Sequence, residues 1–365
     1  MTRTNEYSGL RFIRRALLGG LLMSGGIAFT APAESKSYTL QYADMSPPRG
    51  PRAEAMKWWA AELEKRTNGQ VKVKFHWTQS MVKGKEILKA VGSGLADAGT
   101  ILGVYTPADL PVWNMANIPF TISDPWVGMR TWQKLRATMP ELKAEADRKN
   151  VHILANFSSG AIDLISKEPI RSMADLQNRK LRATGGFSQL LKSMGATPVR
   201  IGFGEVYQAL DRGTIDGSIN YIPFMKAFRH YEVAGHVTEV KMGQILGYGI
   251  GVNKKLWDGM SAELQAVISR TSDELIDKYA EAYLKSVAVT RAQLIKGIDG
   301  RKVTFHQLPD GEMAEWRSHT ATIIDTWKQK VADKGIDGER VWQDFIKTRD
   351  LYRRELAEKG YPWTR

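Results

Sequence analysis

GFGEVYQALDRGTIDGSINY, residues 202–221, is the stretch whose reading decides the fold. Val206, Ala209 and Leu210 form one apolar face of a short helix. Gly213 stops it, at the position where a left-handed residue closes a helix. An apolar run follows at once, carrying Asp216-Gly217 and then Asn220-Tyr221. A glycine-terminated helix feeding directly into a buried strand is the repeating unit of an α/β protein. The same device occurs earlier, where GLADAG (94–99) answers GTIDGS (213–218). Two copies at corresponding places predict two α/β lobes in succession.

Working outward, SYTLQYADM alternates as a strand, and PPRGP reads as a loop. The spacing of Met56, Trp59, Ala60 and Leu63 predicts a helix over 53–67, and QVKVKFHW a second strand. A helix over 84–91 and the strand LADAGTIL complete a strand–helix–strand–helix–strand run with parallel pairing. From residue 151 the pattern restarts with VHILANF, IDLISKEPI and KLRATG as strands and a helix over 187–194. GYGIGVNKKLW (247–257) alternates as a further strand. Ser261 can cap a helix running from Ala262 to about residue 298, without proline and about 55 Å long at 1.5 Å per residue. That exceeds one lobe and predicts a helix lying across both. Two more helices, over 311–334 and 339–358, finish the chain.

The first 33 residues read as a secretory signal peptide. Arg11, Arg14 and Arg15 precede the 15 uncharged residues ALLGGLLMSGGIAFT, and Ala31-Pro32-Ala33 fits an A-x-A cleavage site. A membrane span needs about 20 apolar residues. Sec and twin-arginine export both remain open. The formal charge is +13, of which Arg3, Arg11, Arg14 and Arg15 against Glu6 supply +3, leaving +10 on residues 34–365. A solvated basic surface accounts for that balance; a field drawing anionic ligands is the functional alternative. Cysteine is absent from all 365 residues, which excludes disulfides, thiolate metal sites and cysteine nucleophiles.

Chemistry is hard to find in this sequence. The six histidines show no metal-ligand spacing, and HExxH, GxSxG and GxxxxGK[ST] do not occur. Gly247, Gly249 and Gly251 alternate within a strand and open no helix, against a dinucleotide loop. No carboxylate pair suggests a general acid and base. No metal, no cofactor and no nucleic acid are expected; the polar groups of 202–221 point to recognition.

KLRATGG (180–186), MGATPVRIGFGEVYQALDRGTIDGSINY (194–221), YGIGVNKKLWDGMSAELQ (248–265), ILKAVGSGLADAG (87–99) and LPVWNMANIPF (110–120) together resemble a known family. It is that of the extracytoplasmic solute-binding proteins of tripartite ATP-independent periplasmic (TRAP) transporters, of the DctP type. The resemblance implies a two-lobed, periplasmic-binding-protein-like α/β fold closing on a small organic acid. It also implies delivery of that acid to a pair of membrane permease subunits. Boundaries follow: lobe 1 as 34–158 plus 245–285, and lobe 2 as 159–244 plus 286–365. The family's carboxylate-binding arginine falls on Arg182, whose planar fork matches a carboxylate, and its ligand-bonding asparagine on Asn220. Tyr221 and Phe224 are expected to wall the pocket, with Phe157, Ser158, Ser159, Thr100 and Tyr105 as further candidates.

Two departures narrow the ligand. The family's second arginine falls on Ile162, and its Gln-Glu-Asn-Pro continuation reads Ser218-Ile219-Asn220-Tyr221 here. Both changes lower polarity and favour a monocarboxylate with an apolar or aromatic body, held by a periplasmic monomer. A protein presenting its solute to a sensor, or an exported enzyme, are the competing readings.

Overall fold

The computed structural model describes residues 36–365, so the expected signal segment 1–33 lies outside the described residues. Two sheets organise the fold. Strands β1 (Tyr38–Ala43), β2 (Val71–His76), β3 (Ala98–Leu102) and β4 (Val151–Asn156) belong to the first. β5 (Asp163–Ser166), β6 (Lys180–Arg182), β7 (Thr197–Val199), β8 (Gly217–Asn220) and β9 (His236–Glu239) belong to the second. The chain then returns to the first sheet with β10 (Tyr248–Asn253) and to the second with β11 (Thr304–Gln307). The sheet orders are β2-β1-β3-β10-β4 and β11-β9-β5-β8-β6-β7. β1 lies parallel to β2 and β3, as strands joined by crossover helices must, whereas β10 runs antiparallel to β3 and β4.

Each lobe ends its helices as the sequence predicts: Gly94 (φ 80°) and Gly213 (φ 71°) both take left-handed backbone before a buried strand. The long helix spans Ala262–Lys296, with Ser261 Oγ accepting from Leu264 N. Its Ile268, Leu275, Tyr279 and Tyr283 pack in the main core, and Leu294 joins a second cluster with Val206, Leu210 and Val237 behind the second sheet. One rigid element thereby serves both lobes.

The structure also departs from the sequence reading. Helices Pro125–Thr138 and Pro140–Arg148 give no clear signal in the sequence; each opens on proline, which suits the first helical turn. The helix expected over 311–334 is two, Asp310–Ser318 and Thr320–Ala332. The last helix, Gly338–Lys359, falls in the stretch expected in lobe 2. It lies instead on Pro125–Thr138 beside the first sheet, with the Phe345 and Trp132 rings 6.2 Å apart and Arg353 Nη2 donating to Thr121 O at 2.7 Å.

Residues 157–162 and 240–247 are the crossovers that join the two sheets. They run side by side through Phe157 N to Tyr248 O (2.7 Å), Ser159 N to Ile245 O (3.1 Å) and Ile162 N to Gly243 O (2.8 Å). Gly160 sits here at φ 71°, and a Cβ on it would stand about 2.0 Å from the buried Tyr283 ring. Only glycine fits that backbone and that contact. Asp163 fastens the crossover, its Oδ1 accepting from Val240 N and Lys241 N at 3.0 Å each.

Burial pushes the Asp163 carboxyl up to about 7, with Glu239 adding to the effect and the two backbone donors and Lys241 opposing it. A folded value above the usual 3.8 means that the group's contribution to stability is complete below pH 3.8 and is lost as pH rises to about 7. An Asp163→Asn variant keeps the acceptor oxygen without the charge. Its urea midpoint relative to the unaltered protein should rise steadily between pH 4 and 7; a difference independent of pH contradicts the assignment.

Candidate functional site

Arg182 ends β6, which lies between β8 and the edge strand β7 of the second sheet, where Leu181 beside it is fully buried and fixes the strand's face. Its side chain is turned into the space between the lobes and is only 2% exposed. Nε donates to Ile201 O at 3.1 Å, and the guanidinium carbon lies 5.3 Å from the centroid of the Phe203 ring. No carboxylate among the described residues pairs with it. A buried guanidinium without a counter-charge is costly, so the arrangement fits a site built for an anion.

The cavity that Arg182 faces has a volume of about 50 Å³ and draws its walls from both lobes. Tyr105, Ser159, Arg182, Tyr221 and Phe224 are the expected residues that meet there. Phe203, Phe228 and Tyr248 join them, and Arg182 is the one charged residue in the lining. Phe203 is the hub of the aromatic wall: its ring centroid lies 5.7 Å from Tyr221, 6.3 Å from Phe224 and 4.8 Å from Phe228. Burial pushes the Tyr221 hydroxyl up to about 12 despite the lowering effect of Arg182, so it keeps its proton and can donate to a guest. Lobe contact is direct. Phe203 N donates to Tyr105 Oη at 3.0 Å and Arg49 Nε to Ala227 O at 2.5 Å, which is a closed arrangement.

Four expected residues lie elsewhere. Asn220 is fully buried beneath the wall: its Nδ2 donates to His230 Nδ1 at 2.8 Å, and its Oδ1 accepts from Tyr221 N at 2.8 Å. Both ends of the amide are thus engaged within the lobe, and what it sets is the direction of Tyr221. Burial, assisted by Arg182, pushes His230 down to about 3, so it is neutral and adds no second positive charge near the guanidinium. Thr100 donates to Asp44 Oδ2 at 2.9 Å. Asp44 in turn holds Arg52 in a buried bidentate pair, 2.8 Å at each oxygen. Phe157 lies 5.9 Å from the Arg52 guanidinium and 5.3 Å from Tyr248, forming part of the floor that supports Tyr248. Ser158 is tied to Gln244 and Gly160 at the crossover. Burial alone would pull Arg52 down, yet Asp44 and Tyr248 hold it above its ordinary value, so this pair remains ionised beneath the first-lobe wall.

Ile162 is fully buried in the core and is not part of the lining, so the lower polarity at that position does not itself reach the cavity. Phe203, Phe228, Ile245 and Tyr248 supply the apolar wall. Phe203 stands in the opening motif and Tyr248 in the alternating strand, but the convergence of loop, crossover and strand left no local pattern.

The family profile of bacterial extracellular solute-binding proteins, family 7 (DctP), matches residues 42–330. The chain is 26% identical over 329 residues to the C4-dicarboxylate-binding periplasmic protein DctP of Rhodobacter capsulatus, covering 89% of this chain and 96% of that one. Among solved structures it is similar to a marine-metagenome TRAP solute-binding protein specific for aromatic acids, in complex with 3-hydroxybenzoate (TM-score 0.76, 22% identity, 87% and 99% covered). It is also similar to a TRAP periplasmic solute-binding protein of Chromohalobacter salexigens with bound D-glucuronate (TM-score 0.74, 20% identity, 85% and 99% covered).

Replacing Asn220 by alanine strips His230 Nδ1 and Tyr221 N of their partners inside the lobe. Unfolding free energy should fall by about 1–3 kcal/mol in denaturant titrations; undiminished stability contradicts the internal role.

Proposed function

We propose that this chain, which belongs to the bacterial extracellular solute-binding proteins of family 7 (DctP), captures a monocarboxylate with an apolar or aromatic body between its two lobes. Proteins of this kind bind small organic acids and are binding proteins rather than enzymes; they serve TRAP membrane permeases. The observation that carries the finer reading is the buried guanidinium of Arg182, without a carboxylate partner among the described residues and ringed by Phe203, Tyr221 and Phe224. A single cation matches a single carboxylate, and an aromatic wall rewards an apolar body through area removed from water. The solved relative with 3-hydroxybenzoate offers a precedent for such a guest, and the one with D-glucuronate and the C4-dicarboxylate-binding relative mark the alternatives. Export follows from the signal pattern of residues 1–33, with cleavage near Ala33 and a periplasmic monomer as the working form.

In this reading, the acid enters an open form and its carboxylate takes both arms of the Arg182 fork. The aromatic side chains of the second lobe and Tyr105 and Tyr248 of the first then close over its body. Closure is favoured to the extent that the acid contacts both lobes, because only differential affinity shifts the populations. At about 50 Å³ the closed cavity has room for few atoms, so a ring-sized guest requires the lobes to part and reclose with a wider separation. Micromolar affinity corresponds to about 8 kcal/mol; charge-assisted hydrogen bonds at Arg182 supply about 1.5–3 kcal/mol each, and apolar burial the balance.

A thermal-shift panel of benzoate, 3-hydroxybenzoate, mandelate, succinate and glucuronate tests the class, since a bound acid raises the melting temperature by mass action. The aromatic monocarboxylates should stabilise most. Calorimetry with the strongest should then show that Arg182→Ala weakens binding about 100-fold, or roughly 3 kcal/mol, while the unliganded variant melts no lower than the parent. Unchanged affinity in that variant, or a panel led by succinate or glucuronate, contradicts the reading.

A further inference from the structure

A second, larger chamber of about 350 Å³ adjoins the Arg182 cavity, and the two share Val104, Tyr105 and Thr184. Three cations line it: Lys85 from the turn Gly84–Glu86 of the first lobe, Arg200 from the loop after β7, and Lys330 from the helix Thr320–Ala332. All three are exposed, and none makes an ion pair or a side-chain hydrogen bond among the described residues. The lining contains no aspartate or glutamate. A third recess that Tyr105 also lines differs: Lys83 and Lys85 line it, but Glu205 stands among them. Positive charge uncompensated by acids is thus concentrated on one approach to Arg182.

Tyr105 stands between the chambers. Its hydroxyl is held by Phe203 N at 3.0 Å, and the ring contributes to the inner cavity, the cationic chamber and the third recess. The side chain is only partly buried. An anion drawn to the cationic chamber would therefore lie across Tyr105 from the cavity that Arg182 lines.

We infer that Lys85, Arg200 and Lys330, which line this chamber, form an entry vestibule that draws the carboxylate of an incoming acid toward Arg182 while the lobes stand apart. The inference rests on the reading of Arg182 as the carboxylate site, and adds a separate claim about the route of entry. Clefts lined by one sign of charge raise association rates by roughly 10- to 1000-fold, and salt removes the effect. The three cations stand near the path but not at its end, so they govern arrival and not residence.

The test is stopped-flow binding of benzoate to the full chain at low and high ionic strength. It compares the parent with the triple variant Lys85→Gln, Arg200→Gln, Lys330→Gln. A control with the same change in net charge replaces Lys255, Lys296 and Lys347, which are exposed and line neither chamber. The vestibule variant should bind roughly tenfold more slowly at low salt, with a flattened salt dependence and a dissociation rate within twofold of the parent; the control should match the parent. Equal association rates in parent and vestibule variant overturn the inference while leaving Arg182 in place. So does an equal slowing in the control, or a rise in dissociation rate that accounts for the whole loss of affinity. If benzoate fails to bind the parent, the monocarboxylate reading fails, and the vestibule with it.

Discussion

One uncompensated charge governs this structure. Arg182 is withdrawn from water to 2% exposure, and within the described residues it meets a backbone carbonyl and an aromatic ring but no carboxylate. Elsewhere the same protein shows how it treats a buried guanidinium meant to stay paired: Arg52 lies in a two-point embrace with Asp44, braced by Thr100. The contrast separates two uses of arginine. At Arg52 the protein supplies its own anion and obtains a rigid base beneath Tyr248. At Arg182 the fork remains available, and an anionic guest would complete it.

The rest of the architecture serves that arrangement. The two lobes are joined by paired crossovers whose backbone groups satisfy one another in a narrow ribbon that includes Gly160 and Gly243, both at positive φ. The helix Ala262–Lys296 lies across both cores and ties them together. Asn220 and His230, buried beneath the wall, orient Tyr221 through its backbone nitrogen, and the neutral state of His230 adds no second positive charge near Arg182.

Much of this was legible in the sequence because it is locally encoded. Gly94 and Gly213 mark helix ends by needing left-handed backbone, Ser261 marks the start of the long helix, and the KLR strand carries its arginine openly. What escaped is set by contacts distant in sequence. Arg52 follows a proline–glycine loop and counts as the second residue of the helix Pro51–Arg66 only once Asp44 is brought to it. Thr100 lies close to the cavity in sequence terms, yet the parity of its strand aims it at Asp44. Asn220 was expected at the cleft from the family resemblance, and the pairing of β8 with β5, which places it opposite Asp163, turns it inward to His230. The aromatic wall joins Phe203, Tyr221 and Tyr248 from a loop, a strand end and a returning strand, and no local periodicity encodes such a meeting.

The most direct measurement is a crystal structure of the protein with the acid that stabilises it most. The account predicts electron density for a carboxylate facing the Arg182 guanidinium in a two-point contact of about 2.7–2.9 Å per bond, with its apolar body against Phe203 and Tyr221. A guest anchored by other groups, with Arg182 turned to solvent or paired to a protein carboxylate, would contradict it.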